Sequence, residues 1–216
     1  MMKKVCIIGI GLIGGSLAKA INKTHQSEIV FGFGRDKSRL EKALKSNVID
    51  QYSTDIGEAL DGANMVIIAT PVGSYESIFK EMKPHIVEDM IISDVGSTKV
   101  SVIEAVKAVF GNTLDNFIPA HPIAGKEKVG FEVSDADLFL NRKVIITPLE
   151  NNNPDSIKIL AKMWERVGTE VDFMTPQSHD DLLGMTSHLP HMLAFSLVNY
   201  LISQHPEASV YAAGGF

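Results

Sequence analysis

A chain of 216 residues, 45% hydrophobic and 21% charged, has enough apolar sequence for one large globular domain or for one domain and part of another. Its formal net charge of −6 argues against a general nucleic-acid binder, which carries a basic stripe, but leaves a small anionic substrate open because local charge decides that. A single cysteine, Cys6, allows no internal disulfide; it fits a reducing cytoplasm and reads as a small core hydrophobe rather than a nucleophile.

Met1-Met2-Lys3-Lys4 and the apolar run behind it have the charge pattern of a signal peptide, but Gly9, Gly11, Gly14 and Gly15 interrupt the apolar segment. The same glycines share another explanation. Residues 5–9 read as a buried strand and 12–23 as a helix, joined by Gly9-x-Gly11-x-x-Gly14-Gly15-Ser16. In such a turn the first glycine permits the bend, the second lets the backbone approach a pyrophosphate, and the third lets the helix pack closely on the strand. The helix start adds N–H groups and a partial positive charge. A dinucleotide is the expected ligand. No stretch is long and apolar enough to span a membrane, so a cytoplasmic protein that binds neither membrane nor nucleic acid is expected.

Residues 28–33 read as a second strand, and 36–46 as a helix with Asp36 as N-cap and Leu40, Ala43 and Leu44 on one face. An acidic residue that holds the ribose hydroxyls of NAD belongs at the end of that strand. Here the position is Gly34, followed by Arg35 and Asp36. Without the carboxylate a 2′-phosphate meets less repulsion, and a guanidinium can grip it with two N–H bonds, so NADP is favoured over NAD. Two alternatives stay open: Arg35 as a solvated surface charge, or Asp36 serving both helix and ribose.

The apolar run 64–70 reads as a strand covered on both faces, ending at Pro71, and a helix follows from Ser74 to about Lys83. Residues 90–95 form the next strand, and Gly96-Ser97-Thr98-Lys99 opens a helix reaching Phe110. A short strand, 117–120, leads into His121; 122–142 is too polar and irregular to assign. Strand 143–148, polar turn 151–155, helix 156–167 and strand 169–173 complete the series. Strands separated by helical crossovers predict a Rossmann-type, doubly wound, mostly parallel α/β sheet.

At Thr175-Pro176 the pattern changes to long-period helix, with Leu182, Leu183, Met185, Leu189, Met192, Leu193, Leu197, Tyr200 and Leu201 as its apolar positions and Pro190 starting or kinking a segment. The predicted domains are 1–174, dinucleotide-binding, and 175–216, the beginning of a helical domain. Its apolar face calls for further chain or a partner subunit.

Three polar clusters fall at the strand ends and in the helical region: 94–99, 121–127 and 187–191. In open α/β sheets ligands bind at the carboxyl ends of strands. His121 can be neutral near pH 7 and accept the proton of an alcohol being oxidised, as hydride transfer to a nicotinamide requires; Ser97 can orient that imidazole or the hydroxyl. Taken singly each has a plainer explanation, since a lone histidine is more often surface or satisfied core and Ser97 could cap the following helix. His188 and His191 lie three apart, but no cysteine or carboxylate at ligand spacing joins them, and no metal is expected.

The glycine turn, Asp94-x-Gly96-Ser97-x-Lys99, His121-Pro122-Ile123-Ala124-Gly125-x-Glu127 and Ser187-His188-Leu189-Pro190-His191 occur in this order. With them the chain resembles the prephenate/arogenate dehydrogenase family of tyrosine biosynthesis over essentially its whole length. The two histidine blocks are far more specific than the glycine turn. The resemblance implies an N-terminal nucleotide domain, an all-helical C-terminal dimerisation domain giving a homodimer, and NAD(P)-dependent oxidative decarboxylation of prephenate or arogenate, without a metal. It casts His121 as the group that takes the ring-hydroxyl proton, and Ser97 as its neighbour beside the nicotinamide. Ser187, His188 and His191 fall at the substrate pocket, and Glu127 in an ionic network near its entrance. Lys126 is expected to assist a substrate carboxylate. The cofactor set is Gly9, Gly11, Leu12, Ile13 and Gly14 at the turn, Gly34, Arg35 and Asp36 after the second strand, Thr70 and Pro71 after the apolar run, and Ser97. An arginine that the family uses for the substrate's side-chain carboxylate is expected beyond residue 216. Two other readings stay beside this one: another NADP-dependent hydroxyacid or imine reductase, and a non-catalytic dinucleotide-sensing module.

Overall fold

Alternation along the first strand builds the architecture. In a computed structural model that describes residues 1–128, 130–205 and 207, β1 (Met2–Ile8) sends Val5 and Ile7 to one face and Cys6 and Ile8 to the other, all fully buried. Helices therefore cover both faces, as a parallel sheet requires. After β1 come α1 (Leu12–Lys23), β2 (Ser27–Phe33), α2 (Lys37–Lys45), β3 (Gln51–Ser53), α3 (Ile56–Leu60), β4 (Met65–Ile68), α4 (Tyr75–Met82), β5 (Ile91–Asp94), α5 (Val100–Phe110) and β6 (Phe117–Ile118). These strands form one six-stranded sheet, order β3-β2-β1-β4-β5-β6, parallel throughout. Leu17, Ile21, Leu40 and Trp164 fill one side of it, and Leu60, Phe79, Val102 and Val106 the other. Burial pushes the Cys6 thiol up to about 12, so it is a core hydrophobe and no nucleophile at neutral pH.

The remaining strands depart from the single expected series. Between Ile118 and Ala120 the chain leaves the first sheet, and β7 (Ala120–Pro122), β8 (Lys143–Ile146) and β9 (Glu170–Phe173) form a second, in that order. β7 runs antiparallel to β8, and β8 parallel to β9 across α6 (Pro154–Arg166). The predicted strand 117–120 is thus two short strands in two sheets. β3 and α3 were not legible, being three and five residues long and lacking a period to read. Helix α6 begins two residues earlier than its apolar spacing suggested, because Asn153 caps it through the Asp155 N–H and Pro154 occupies its first position. Among its described residues the unassigned stretch 122–142 carries one 3₁₀ turn, Phe131–Val133, fastened to α1 by Ser16 Oγ accepting the Asp135 N–H at 2.9 Å and by Lys19 Nζ donating to the Ser134 carbonyl at 2.8 Å.

The chain divides into two compact units, Met1–Pro176 and a second beginning at Gln177. The second is helical: α7 (Pro176–Leu183), a π-helical turn (Gly184–His188) and α8 (Leu189–Gln204), with Pro190 in the first turn of α8. Proline lacks an N–H and is tolerated there. Among the described residues no helix is long and apolar enough to cross a membrane.

Candidate active site

The glycine turn fits a dinucleotide on steric grounds. Gly9 has φ +98°, a region side chains disfavour, and a Cβ there would meet Thr70 Cγ2 at 2.8 Å and the Ala69 carbonyl oxygen at 2.9 Å. A Cβ on Gly14 would come within 2.1 Å of the Gly9 carbonyl oxygen, so α1 packs against the turn with no room for alanine. Gly11 differs: a Cβ would meet nothing within 4 Å. It is the N-cap of α1 and offers no side-chain cap, so the helix start, with half-buried Leu12 and Ile13, faces open space. That is the place for an anion on unpaired N–H groups.

Beside the turn lies a cleft of about 340 Å³ lined by Gly9, Ile10, Gly11, Gly34, Arg35, Asp36, Arg39, Leu40, Ala69, Thr70 and Pro71. Gly34 brings no carboxylate. Asp36 caps α2, accepting the Arg39 N–H at 3.1 Å, and Arg39 supplies a second guanidinium that sequence reading missed. A helix pattern beginning at residue 36 would have put residue 39 in the first turn, on the side of its cap; that signal was available. Thr70 Oγ1 accepts from Ser74 Oγ at 2.9 Å, which ties the end of β4 to the turn after Pro71.

The polar cluster after β5 meets β7 at the same edge. Registers Ile8↔Ile68 and Ile68↔Asp94 align the carboxyl ends of β1, β4 and β5. Asp94 Oδ1 accepts the Ala120 N–H at 3.1 Å, joining the residue before His121 to that edge. Ser97 is exposed in the loop between Asp94 and Lys99, and His121 is half-buried on β7. Gly96 cannot carry a side chain, because a Cβ would lie 2.8 Å from Asp94 Oδ2, which accepts its N–H at 2.8 Å.

Sequence reading quoted Asp94 and Lys99 in the cluster 94–99 without giving them a role, and passed over Tyr75. Asp94 and Lys99 are fully buried and paired at 2.6 Å. The Tyr75 hydroxyl lies 3.1 Å from the Ile68 carbonyl oxygen and 3.3 Å from Asp94 Oδ2. Burial first, and then the Asp94 charge, raise its pKa far above the usual phenol range, so it stays a neutral donor. The signal was present in the spacing Asp94-x-x-x-x-Lys99, but nothing local shows that both charges are buried.

Lys126 and Glu127 are exposed in the loop after β7, and Lys126 Nζ pairs with Asp135 at 2.9 Å. The structure thus assigns that ammonium a carboxylate within the protein. Ser187 and His188 lie in the π-helical turn, and His191 in the first turn of α8, within the second unit. Among the described residues no three histidine, cysteine or carboxylate side chains converge as a metal site.

A doubly wound sheet, an open glycine turn and a polar edge carrying a histidine define a dinucleotide-binding oxidoreductase. The family model for the prephenate dehydrogenase nucleotide-binding domain matches residues 17–173, and that for the prephenate dehydrogenase dimerization domain matches 175–216. The chain belongs to the prephenate dehydrogenase family. It is 32% identical to the cyclohexadienyl dehydrogenase of Zymomonas mobilis, covering all of this chain and 74% of that protein. It is likewise 32% identical to the prephenate dehydrogenase of Bacillus subtilis, but spans only 59% of its length. A crystal structure of prephenate dehydrogenase from A. aeolicus, in complex with hydroxyphenyl propionate and NAD+, superposes with a TM-score of 0.91 at 34% identity, covering 100% of this chain and 76% of that one.

Proposed function

We propose that this chain carries the nucleotide domain and the beginning of the helical domain of a cytoplasmic enzyme that oxidatively decarboxylates prephenate or arogenate, with NADP favoured. One observation carries the reading: the Ala120 N–H bonds to Asp94 at the end of β5, which joins the strand bearing His121 to the sheet edge bearing the glycine turn and Ser97. The hydroxyphenyl acid held by the A. aeolicus enzyme supports the substrate class, because aromatising a cyclohexadienol acid leaves a hydroxyphenyl acid.

When bound, the nicotinamide accepts the hydride from the ring carbon that carries the hydroxyl. His121 takes the hydroxyl proton as the C–O bond gains double-bond character, and Ser97 orients that hydroxyl. The ring carboxylate departs as carbon dioxide, its C–C electron pair completes the aromatic ring, and the imidazolium of His121 returns the proton to the phenolate oxygen. Gly9, Gly11 and Gly14, with Leu12 and Ile13 at the start of α1, receive the pyrophosphate. Arg35 and Arg39 receive a 2′-phosphate, and Asp36, Thr70 and Pro71 border the same cleft. Ser187, His188 and His191 serve the substrate, with Glu127 and Lys126 at its entrance. The exposed apolar residues of α8 are the surface for a second subunit.

The test is steady-state turnover of the complete protein with prephenate and arogenate, each with NAD and NADP, for wild type and His121→Asn. The proposal expects turnover with at least one ring substrate. It also expects a loss of about a hundredfold or more in the variant with cofactor affinity kept, the usual scale for a general base. Activity only with simple hydroxyacids or imines, or an asparagine variant as fast as wild type, rejects it.

A further inference from the structure

We propose that the buried Asp94–Lys99 pair is the positioning device of the active site: it takes the place of a missing neighbouring strand for Ala120, and so sets His121 at a constant distance from Ser97. The proposal rests on His121 being the proton acceptor, as read above.

The argument starts from backbone accounting. Ala120 stands where the chain passes from the six-stranded sheet to the three-stranded one. Along the antiparallel β7–β8 pair, Thr147 N–H donates to the Pro119 carbonyl at 2.9 Å and Ile123 N–H to the Lys143 carbonyl at 2.8 Å. Hydrogen-bonded positions alternate in such a ladder, so 119, 121 and 123 face β8 and the polar groups of Ala120 point away from it. Among the described residues no strand of the first sheet pairs with Ala120 on that side, because β6 ends at Ile118. Ala120 is fully buried. Each of its groups left unpaired would carry the full desolvation cost of a buried peptide group.

One ion pair answers both groups. Asp94 Oδ1 accepts the Ala120 N–H at 3.1 Å, and Lys99 Nζ donates to the Ala120 carbonyl at 2.6 Å. An acceptor and a donor side by side are what an adjacent strand would present. The two charges are joined to each other at 2.6 Å through Asp94 Oδ2, which also accepts the Gly96 N–H. The pair therefore closes the loop 94–99 on itself, with Ser97 inside it, while gripping the residue that precedes His121. Both proposed reacting groups hang from one rigid node.

Stability alone is a weak reason for such a node. Desolvating two charges opposes folding, and apolar replacements of whole buried pairs are often neutral or stabilising. A misplacement of about 1 Å at a reacting group, by contrast, can lower turnover about a hundredfold.

The experiment uses the complete enzyme with Asp94→Leu and Lys99→Met combined, so that no unpaired charge is left buried. The expected result is a folded protein with NADP+ affinity within about twofold of wild type, kcat lower by about tenfold to a hundredfold, a displaced acid limb in the pH profile of kcat, and a broadened or split His121 ring signal in NMR. A folded double variant with wild-type kcat and pH profile overturns the proposal. If that variant does not fold, Lys99→Arg decides, since it keeps the charge and moves the donors: lowered kcat at unchanged NADP+ affinity supports the role, and wild-type kcat overturns it. Neither variant folding assigns the pair to stability and overturns the proposal as well. His121→Asn, run in parallel, separates the two claims: unimpaired turnover there removes the base assignment itself, whatever the pair does.

Discussion

The Asp36 carboxylate accepts the Arg39 backbone N–H at 3.1 Å, so the acid that follows Arg35 is held on the first turn of α2. Capping engages one of its oxygens and sets its negative charge against a helix N-terminus. The same turn brings the Arg39 side chain to the wall of the cleft that Arg35 lines. In this arrangement the acid caps the helix and two guanidinium groups line the cleft. Arg35→Ala and Arg39→Ala should each raise KM for NADP by about tenfold and leave that for NAD nearly unchanged, the scale of one charged hydrogen bond. Gly34→Asp should shift preference toward NAD. Equal effects on both cofactors would return Arg35 and Arg39 to the solvated surface.

Two glycines of one turn should fail in different ways. A Cβ at Gly14 runs into the Gly9 carbonyl oxygen at 2.1 Å, a backbone atom that cannot swing aside, whereas a Cβ at Gly11 meets no protein atom within 4 Å. Gly14→Ala should destabilise the domain by about 3 kcal/mol, the upper end of ordinary overpacking, seen as a fall in the denaturant midpoint. Gly11→Ala should unfold like wild type yet lose cofactor affinity by about tenfold or more, since its methyl group enters the space for the pyrophosphate. Titration calorimetry with NADP and NAD checks the second claim, and an unaffected Kd would mean the phosphates lie elsewhere.

Acid should weaken the loop that follows His121. The Asp137 N–H first, and then Lys126, hold the Asp135 carboxyl below the usual carboxylate range. A depressed carboxyl stabilises the fold above its unfolded pKa of about 3.9 and loses that contribution as pH falls through the folded value. Asp135→Asn should therefore lower Tm by about one or two degrees at neutral pH, with the difference shrinking as the pH falls below the unfolded carboxyl's range. Lys126→Ala in the complete enzyme addresses the other role: a rise in substrate KM supports contact with a substrate carboxylate, and an unchanged KM leaves the lysine to Asp135.

The apolar face of α8 predicts an assembly. Leu189, Leu193, Leu197 and Tyr200 recur at helical spacing and are each more than half exposed. Leu193→Asp with Leu197→Asp in the complete protein should convert a dimer into a monomer by light scattering while leaving the circular dichroism of the nucleotide domain unchanged. A wild-type protein that is monomeric at micromolar concentration would remove the premise.

Much of this molecule was legible before any coordinate. Periodicity located α1 and α2 to within a residue at each end; the end of α5 at Phe110 was legible as well, but the helix starts at Val100, after the Gly96–Lys99 stretch expected to open it. β1 and β4 were legible for a different reason: buried on both faces, residues 5–8 and 65–68 read as unbroken apolar runs, while β5 showed by Met90-Ile91-Ile92 ahead of Ser93 and Asp94. The break between β6 and β7 was not, since Phe117-Ile118-Pro119-Ala120, four apolar or small residues in a row, look alike whether they lie in one sheet or two.

What the order of residues determined by itself is the local chemistry: a glycine-rich turn between a strand and a helix, a strand end without a carboxylate at Gly34, and histidine blocks specific enough to indicate a family. Which groups meet was decided by the tertiary structure. In the sequence Asp94 and Lys99 stand as part of a polar cluster and a motif without a role of their own; the fold buries them as a pair against the Ala120 peptide group, where the chain changes sheets. Burial and the pairing of polar groups depend on contacts between segments far apart in the chain, and no local spacing encodes them.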